Sequence, residues 1–405
     1  MNSSQCRFCA EERQRDLLDF GPQPLANRYP SAAHEPEFVF QFVISQCSGC
    51  GVVQLAQPPE PHELQSRFPW IIYNEPESHL DDVVNRIMGL PGVGPHSSVV
   101  GISYKDDTTL ARLGRLGHGD VWRIDLARDL GGDETAAGLE TLQRLLTPPV
   151  AESLADDHGR ADVVIVRHVL EHAHNPKEFL SAITRLTKPG GHIVFEVPDC
   201  TRSLDLCDYS MPWEEHVAYF TPVTLRAVLA LHGFDIVSLR EYPYSHENSL
   251  VAFCRVPVEG HIPQPIVEKT PIEADLARGA RYALEFPRRR EGYRSRLAGM
   301  PGTIALFGAG HLTAAFINIL ELSALFDCVI DDNPRKQGLF MPGSRLPIVS
   351  STALAERPIK TCLLGVRPEI ESAVREKHRD FMQRGGVMLS IFPGNLHPLP
   401  LGTIP

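Results

Sequence analysis

The fold follows from one continuous stretch, Ala161-Asp-Val-Val-Ile-Val-Arg-His-Val-Leu-Glu-His-Ala-His-Asn-Pro-Lys-Glu-Phe-Leu180. Its first six residues are mostly apolar and β-branched, which predicts a short buried strand. We expect a helix over residues 179–186, a turn at Lys188-Pro-Gly-Gly191 and another strand over residues 192–197. Residues 98–102 and 121–125 upstream have the same strand-like composition. Strands that alternate with helices predict parallel βαβ units and a doubly wound sheet.

Four blocks of different character succeed one another along the 405 residues. Residues 1–85 hold two pairs of cysteines and show little helical periodicity, although residues 38–44 are strand-like. The α/β pattern fills residues 86–256, and a proline-rich start and a charged helix make residues 257–300 a connector. Residues 301–405 begin a second α/β unit with a strand, a glycine turn and a helix. We therefore predict an α/β protein with two Rossmann-like domains behind a small cysteine-containing domain.

The overall charge and the hydropathy of the chain exclude some classes of partner. The chain has 39 Lys and Arg against 50 Asp and Glu, a net charge of −11, which argues against a dedicated nucleic-acid binder. No apolar run approaches the roughly 18 residues that a membrane span needs. The first residues lack the basic and apolar segments of a signal peptide. The sequence therefore predicts a cytoplasmic protein with neither a nucleic-acid nor a membrane partner, and it leaves room for a small-molecule ligand in a local pocket.

Four of the nine cysteines form two closely spaced pairs, Cys6 with Cys9 and Cys47 with Cys50. Each pair has the Cys-x2-Cys spacing that presents two sulfurs on one turn, and four thiolates suit tetrahedral zinc. Complete coordination by four cysteines leaves no open position, so the predicted zinc site is structural. The alternatives are two redox pairs or free thiols, and iron could replace zinc in an expression host.

The stretch from Asp162 to Leu180, together with Lys188-Pro-Gly-Gly191, resembles the segment after the fourth strand of class I S-adenosylmethionine (SAM) methyltransferases. Further along, Glu214-Glu-His-Val-Ala-Tyr-Phe220 resembles the signature of sugar C-methyltransferases from antibiotic deoxysugar pathways. That family has a four-cysteine zinc domain, a SAM-binding core and a Rossmann-like C-terminal domain. The resemblance covers nearly the whole chain, and it extends to Phe307-Gly-Ala-Gly310 in the last block.

The resemblance implies a reaction and a set of residues for it. The family methylates carbon 3 of an NDP-4-keto-6-deoxyhexose, where a base removes the proton α to the ketone and the enolate attacks the SAM methyl group. By resemblance His216 is the base, since histidine titrates near neutral pH. Glu215 could orient His216, His172 could polarise the carbonyl and Tyr219 could donate to the enolate. The alternative is that these side chains only pack a turn.

The sequence also suggests roles for two further histidines and one tyrosine. His168 and His174 are expected to be structural. Tyr73 lies near the place where the family has an active-site tyrosine, and we assign it to substrate binding.

The SAM loop departs from the family pattern. Gly101 stands where the family has an acidic residue, Ser103 replaces a loop glycine, and Asp106 matches the loop aspartate. Asp125 ends the second strand 22 residues after Ser103, close to the offset of a ribose-hydroxyl acceptor. We assign these four residues to SAM binding. The altered loop keeps an alternative open, a repurposed member that binds SAM poorly and acts as a nucleotide-sugar-binding or scaffolding protein.

The last block contains a second nucleotide-like loop. Gly308 and Gly310 lie between a strand and a helix, and Asp331 ends the next strand, which is the context of a dinucleotide loop. The helix N-terminus could hold a sugar-nucleotide phosphate, so both glycines are assigned to substrate binding. A structural turn with nothing bound is an equally good interpretation. An NAD-linked oxidoreductase is a third hypothesis, and the sequence shows no hydride-transfer constellation for it.

Overall fold

A computed structural model describes residues 5–10, 14–65, 67–68, 70–71, 75–132, 138–258 and 269–400. The described chain divides into two compact units. The first lies within Met1–Asp16, Ile44–Thr201 and Glu215–Ala277, and the second within Leu17–Val43, Arg202–Glu214 and Arg278–Pro405. The boundaries of these two units differ from those of the four predicted blocks. The blocks therefore stay a prediction.

The first unit is built on a six-stranded sheet in the order β5-β4-β6-β7-β10-β9. Its strands are β4 (Val99–Gly101), β5 (Val121–Arg123), β6 (Ala161–Arg167), β7 (Thr187–Asp199), β9 (Asp235–Tyr242) and β10 (Asn248–Arg255). The first four in this order are parallel, and β10 is antiparallel to both of its neighbours. Residues 163–166 of β6 are fully buried, as expected for a parallel strand covered on both faces. The predicted doubly wound sheet is confirmed.

The helices of this unit fill the connections between the strands. They are α1 (Pro61–Leu64), α2 (Leu80–Met88), α3 (Asp107–Arg115), α4 (Leu126–Leu130), α5 (Leu139–Leu145), α6 (Pro148–His158), α7 (Pro176–Leu186) and α9 (Pro222–Leu231). Helix α7 confirms the predicted helix, and Asn175 caps it by accepting a hydrogen bond from Glu178 N. The predicted glycine turn lies inside β7, where Gly190 has a φ of +77° and the pairing with β6 jumps from Thr187 to His192. The turn therefore interrupts a strand that resumes after it.

A second sheet has the order β1-β2-β3-β8, with strands β1 (Gln14–Pro24), β2 (Val39–Cys47), β3 (Val53–Leu55) and β8 (Ala218–Tyr219). Strands β1 and β2 each begin in one unit and end in the other. Within the first unit, β3 pairs antiparallel with the end of β2 and with β8. Residues distant in sequence are thereby joined, since β3 follows the second cysteine pair and β8 carries Tyr219.

The second unit holds a five-stranded parallel sheet in the order β13-β12-β11-β14-β15. Its strands are β11 (Thr303–Phe307), β12 (Cys328–Ile330), β13 (Ile348–Val349), β14 (Ile359–Leu364) and β15 (Val387–Ser390). Its helices are α11 (His311–Ile319), α12 (Ala353–Glu356), α13 (Pro368–Lys377) and α14 (Arg379–Gln383). The predicted second Rossmann-like unit is confirmed.

Two further helices, α8 (Thr201–Leu206) and α10 (Lys269–Ala298), begin in the first unit and end in the second. Helix α10 includes most of the predicted helical connector. Within the described ranges, no helix combines the length and the apolar character needed to cross a bilayer.

Candidate active site and metal centre

The four paired cysteines meet in the first unit. Cys6 Sγ lies 3.6 Å from Cys50 Sγ, Cys9 Sγ lies 3.4 Å from Cys47 Sγ, and all four sulfurs are within 4.8 Å of one another. A tetrahedral zinc ion with Zn–S bonds of about 2.3 Å separates its sulfurs by roughly 3.8 Å. The donor set and its spacing therefore fit zinc, and three of the four side chains are buried.

Polar groups around the cluster support thiolates. Gly49 N donates to Cys47 Sγ at 3.3 Å, and Gln54 Nε2 donates to Cys6 Sγ at 3.3 Å. Side-chain contacts with Cys47 and Cys50 lower the pKa of Cys6, while the thiols of Cys47 and Cys6 raise that of Cys50. The cluster therefore shares its charge unevenly, and a divalent cation would displace the remaining protons.

The metal-binding segment also positions a predicted catalytic residue. Strand β3 begins three residues after Cys50, and Val53 pairs with Tyr219 across the antiparallel ladder to β8. Leu55 N adds a hydrogen bond to Val217 O at 2.9 Å. Tyr219 is buried at 4% exposure, so the cysteine domain fixes the backbone from which this side chain projects.

The turn after β6 brings a carboxylate and two histidines together. His168 takes a φ of +50°, an uncommon conformation for a residue with a side chain, and a 3-10 helix follows over Leu170–His172. Ligand-type atoms of Glu171, His172 and His216 all lie within 4.8 Å of one another. Glu171 and His172 are buried and His216 is half-buried, so a small molecule can reach this cluster through His216.

Aromatic geometry places His216 between two other predicted residues. Its ring meets that of His172 edge-on, with the centroids 4.9 Å apart at 87°. The ring of Tyr219 lies 6.1 Å from that of His216. Glu215 precedes His216 and is half-buried. The structure therefore brings His172, His216 and Tyr219 into one site, with Glu215 beside them in sequence.

A buried ionic network lies behind this site. Glu196 Oε2 accepts a hydrogen bond from Arg167 Nε at 2.6 Å, and Glu196 Oε1 accepts one from Ser249 Oγ at 2.8 Å. His168 Nε2 and His79 Nε2 lie 3.2 Å and 3.0 Å from the same Oε1. Burial alone would raise the pKa of Glu196, but Arg167 and the two histidines lower it well below its usual value.

The ionic network extends through further charged groups to Lys105 in the SAM loop. Glu75 binds Lys105 Nζ at 2.7 Å. Burial alone would raise the pKa of Glu75, and the charges of His168 and Lys105 lower it instead. The pKa of Glu247 rises to about 8 through burial and through repulsion from Glu75 and Asp199. Glu247 is therefore mostly protonated at neutral pH, since one more buried negative charge would lack compensation.

The loop after β4 is closed by its own aspartate. Asp106 is fully buried, and its Oδ2 accepts hydrogen bonds from Ile102 N at 2.7 Å and Ser103 N at 2.8 Å. Its Oδ1 accepts one from Arg167 N at 3.1 Å. Burial raises the pKa of Asp106 to about 7 against these hydrogen bonds. Asp106 thus shapes the loop from inside, and its assignment to SAM binding stays a prediction.

Gly101 supplies the room for this arrangement. A side chain at Gly101 would meet Asp106 Cβ at 2.8 Å and Leu110 Cδ1 at 2.9 Å. Ser103 caps the 3-10 helix Tyr104–Asp106 by accepting a hydrogen bond from Lys105 N at 3.2 Å. The sequence departs from the family pattern here, and Ser103 with Asp106 forms a capping box in its place.

Three family models match the chain in the predicted order. A "Putative zinc binding domain" matches residues 6–64, a "Methyltransferase domain" matches residues 92–239, and a "C-methyltransferase C-terminal domain" matches residues 295–393. The chain thus has the three domains of a C-methyltransferase. It is therefore a SAM-dependent C-methyltransferase with a zinc-binding domain, and the resemblance drawn from the sequence is confirmed.

Known relatives cover different shares of the C-methyltransferase. C-methyltransferase NovU from Streptomyces niveus is 25% identical over 410 residues, which is 96% of this chain and 95% of the relative. A ubiquinone biosynthesis O-methyltransferase from Methylococcus capsulatus is 40% identical over 81 residues, or 19% of this chain and 33% of the relative. Among solved structures, the 1,6-didemethyltoxoflavin-N1-methyltransferase of Burkholderia thailandensis has a TM-score of 0.31 at 17% identity, covering 45% of this chain and 79% of its own.

SAM fits the C-terminal edge of the first sheet. Open α/β sheets bind ligands beyond the carboxyl ends of their strands, where the strand order reverses. In this sheet that point lies between β4 and β6, beside Gly101 and Arg167. Asp125 caps α4, and its Oδ1 accepts a hydrogen bond from Arg128 N at 2.8 Å. Its half-buried carboxylate has a second oxygen that could accept from a ribose hydroxyl.

The glycine loop of the second unit is closed in a similar way. Gly308 has a φ of +101°, and a side chain there would meet Val366 Cγ1 at 2.5 Å. The amide of Ala309 donates to Asp331 Oδ2 at 2.8 Å, and Lys336 Nζ donates to Ala309 O at 2.6 Å. Gly310 caps α11 with open space around it. Substrate binding by Gly308 and Gly310 stays a prediction.

The sequence analysis missed two buried glutamates of the site, and one predicted site residue has no described position. Tyr73 lies outside the described residues. Glu171 stands inside the quoted Leu-Glu-His stretch and Glu196 lies in a predicted strand, and neither was assigned a role from the sequence. The signal for Glu196 was available, because a carboxylate within the apolar run Ile193-Val-Phe-Glu-Val197 is rarely buried without partners.

Proposed function

We propose that the C-methyltransferase transfers the SAM methyl group to a carbon α to the ketone of a keto sugar nucleotide, such as carbon 3 of an NDP-4-keto-deoxyhexose. The observation that carries this proposal is the convergence of Glu171, His172 and His216 within 4.8 Å. Such a cluster can take a proton from a weakly acidic C–H bond and support the charge that develops. The similarity to C-methyltransferase NovU over almost the full length of both chains supports carbon as the atom that receives the methyl group.

His216 acts as the base in this proposal. Its ring nitrogen takes the proton from the α carbon, and the C–H electron pair becomes the enolate. When bound, SAM supplies the electrophilic methyl group. The enolate carbon forms the new C–C bond, the S–CH3 bond breaks, and S-adenosylhomocysteine leaves. Histidine suits the first step because its unperturbed pKa lies near neutral pH.

His172 and Tyr219 are assigned to the enolate oxygen. Both side chains are buried beside His216, and a hydrogen-bond donor in a site without bulk water stabilises a developing anion more strongly. Glu215 is assigned to the orientation of His216 or to proton transfer at the rim, since it is half-buried next to it. These roles predict that loss of either donor lowers turnover more than substrate binding.

Zinc has a structural role in the proposal. We assign it to Cys6, Cys9, Cys47 and Cys50, which would complete its coordination and leave no open position for chemistry. The ion would hold the turn before β3, and β3 carries the ladder to Tyr219. None of the described cysteines forms a disulfide, which suits a reducing compartment, and we propose a cytoplasmic location.

The proposal is tested by carbon-13 NMR with methyl-labelled SAM. The protein is mixed with a panel of NDP-4-keto-6-deoxyhexoses that differ at carbons 2 and 3. We expect a new carbon-bound methyl signal for at least one sugar, and no signal with the corresponding 4-hydroxy sugars, whose α proton is not acidic. A methyl group found on oxygen or nitrogen, or transfer to the 4-hydroxy sugars, would contradict the enolate route.

A further inference from the structure

His168 lies in the active-site turn although the proposed reaction gives it no role. Its side chain stands between two buried carboxylates, with Nδ1 3.3 Å from Glu171 Oε1 and Nε2 3.2 Å from Glu196 Oε1. Its backbone N–H also donates to Glu196 O at 2.9 Å. Because the ring contacts both carboxylates, the position of Glu196 constrains the position of Glu171.

Glu196 is the fixed end of this chain of contacts. It is 1% exposed and lies within β7, where Arg167 Nε at 2.6 Å and Ser249 Oγ at 2.8 Å hold its two oxygens. His79 Nε2 lies 3.0 Å from the oxygen that also faces His168. The groups that hold Glu196 come from separate segments of the first unit, so it cannot move without disturbing the sheet.

Glu171 is the end that faces the reaction. It is also 1% exposed, and among the described residues its oxygens have the 3.3 Å ion-pair contact with His168 but no hydrogen bond of good geometry. A buried carboxylate without such hydrogen bonds is costly and calls for a function. One of its oxygens lies within 4.8 Å of one ring nitrogen each of His172 and His216, the pair assigned to the substrate.

The charge of His168 suits the bridging position. Burial alone would lower its pKa, but Glu75, Glu171 and Glu196 raise it to about 10. His168 is therefore a cation at neutral pH. Its φ of +50° costs energy for a residue with a side chain, and such strain persists where the surroundings enforce it. Geometry, charge and strain all distinguish His168 from a residue that only fills space.

We propose that His168 is a positioning residue whose cationic ring, anchored on Glu196, holds the Glu171 carboxylate against His216. Glu171 then accepts a hydrogen bond from one ring nitrogen of His216 and leaves the other nitrogen free to take the substrate proton. Such hydrogen bonds are often long without substrate and shorten in the complex. This inference rests on the proposed role of His216 as the base.

A double-mutant cycle on proton removal tests the inference. The measured quantity is the rate at which the keto sugar exchanges its α proton in deuterium oxide, for the wild type, His168→Asn, Glu171→Gln and the double variant. Asparagine tolerates a positive φ and keeps a donor, so His168→Asn removes mainly the charge. We expect each single variant to lose about 10- to 100-fold in exchange rate. The double variant should lose no more than the worse single one, because the two residues act in series.

His192→Asn is the matched control for this cycle. His192 is equally buried on β7, and its Nε2 lies 3.0 Å from Pro91 O, away from the cluster. We expect this variant to lose stability without losing exchange rate. Additive losses in the cycle, or an equal loss of exchange in His192→Asn, would assign His168 a merely structural role.

A measurement without substrate separates this inference from the proposed function. Nitrogen-15 spectra of histidine-labelled protein identify each ring by the signal that its own variant lacks. We expect the His168 ring to carry protons on both nitrogens at pH 8, and the His216 ring signals to shift alike in His168→Asn and Glu171→Gln. A neutral His168, or an unchanged His216, would overturn the inference even if methyl transfer is found. The expected spectra without any exchange would instead count against the keto-sugar substrate alone.

Discussion

The two α/β sheets of this protein share one plan, yet within the described residues only the first unit has a cluster of carboxylate and histidine side chains close enough to act together, Glu171 with His172 and His216. In the first, β4 lies between β5 and β6, and in the second β11 lies between β12 and β14. Both central strands end in a loop that an aspartate closes by accepting backbone amides, Asp106 in the first and Asp331 in the second. The scaffold alone therefore does not decide where chemistry occurs.

The two sheets differ in the segment that follows β6 in the first and β14 in the second. After β14 the chain passes through Gly365, Val366 and Arg367 and enters α13 at Pro368. After β6 the left-handed His168 and a 3-10 helix intervene before α7 begins at Pro176. This insertion turns Glu171 and His172 inward. An irregular segment between a strand and its helix has therefore created the site on one of two similar frameworks.

Removal of the metal should have the largest effect and should be confined to the first unit. With Cys47→Ser, or after chelation, we expect the zinc content to fall from one ion per chain to none and methyl transfer to be lost. Hydrogen exchange should accelerate in β3 and β8, which the cluster supports, but not in β11 and β14. Cys254→Ala is the control, since this buried thiol lies outside the cluster. Unchanged metal content in Cys47→Ser would contradict the assignment.

Replacement of the base should abolish turnover without loss of fold. We expect His216→Asn to lower kcat by about 1,000-fold, within the range typical of general base catalysis, with zinc content and melting temperature unchanged. Arg367→Ala, in the corresponding turn of the second unit, should leave kcat unchanged. Wild-type turnover in His216→Asn would remove His216 as the base.

The two loop aspartates should differ in what they support. Asp106→Ala removes an acceptor from three backbone amides, of which Ile102 N keeps a second acceptor, Ile165 O at 3.2 Å. We therefore expect a loss of about 3 kcal/mol in the free energy of unfolding and weaker SAM binding. Asp331→Ala should lower stability by about 1 kcal/mol and leave SAM affinity unchanged. Denaturant melts and SAM titrations of both variants measure the contrast. A loss of SAM affinity in Asp331→Ala would show that the second loop also holds the cofactor.

The two units should also differ in the pH dependence of their stability. The folded-state pKa of His168 is raised to about 10, so its contribution is complete below about pH 6.5 and is lost as pH rises towards 10. Burial lowers the pKa of His378 in the second unit, so stability there decreases as pH falls through 6.5. We expect the stability gap between wild type and His168→Asn to close from pH 6.5 to 10. For His378→Asn the difference from wild type should instead change below pH 6.5.

Much of this architecture could be predicted from the sequence. The strands of both sheets follow from short apolar, β-branched runs, and the Cys-x2-Cys spacing identified the four sulfurs that the structure brings together. His172 and His216 were paired only through the family resemblance, because 44 residues separate them and spacing alone cannot join them. The position of Glu171 depends on the φ of His168, a conformation that histidine rarely adopts and that no local pattern announces.

Calorimetric titration with SAM and S-adenosylhomocysteine tests the central claim. This claim is that the altered loop after β4 in the first unit binds SAM for the reaction at the histidine cluster. The account predicts micromolar binding to the zinc-loaded protein, weakened at least about tenfold by Asp125→Ala and unaffected by Asp331→Ala. No binding of either compound to folded, zinc-loaded protein, with and without a keto sugar nucleotide, would contradict it. The protein would then be better described as a nucleotide-sugar-binding or scaffolding member of its family.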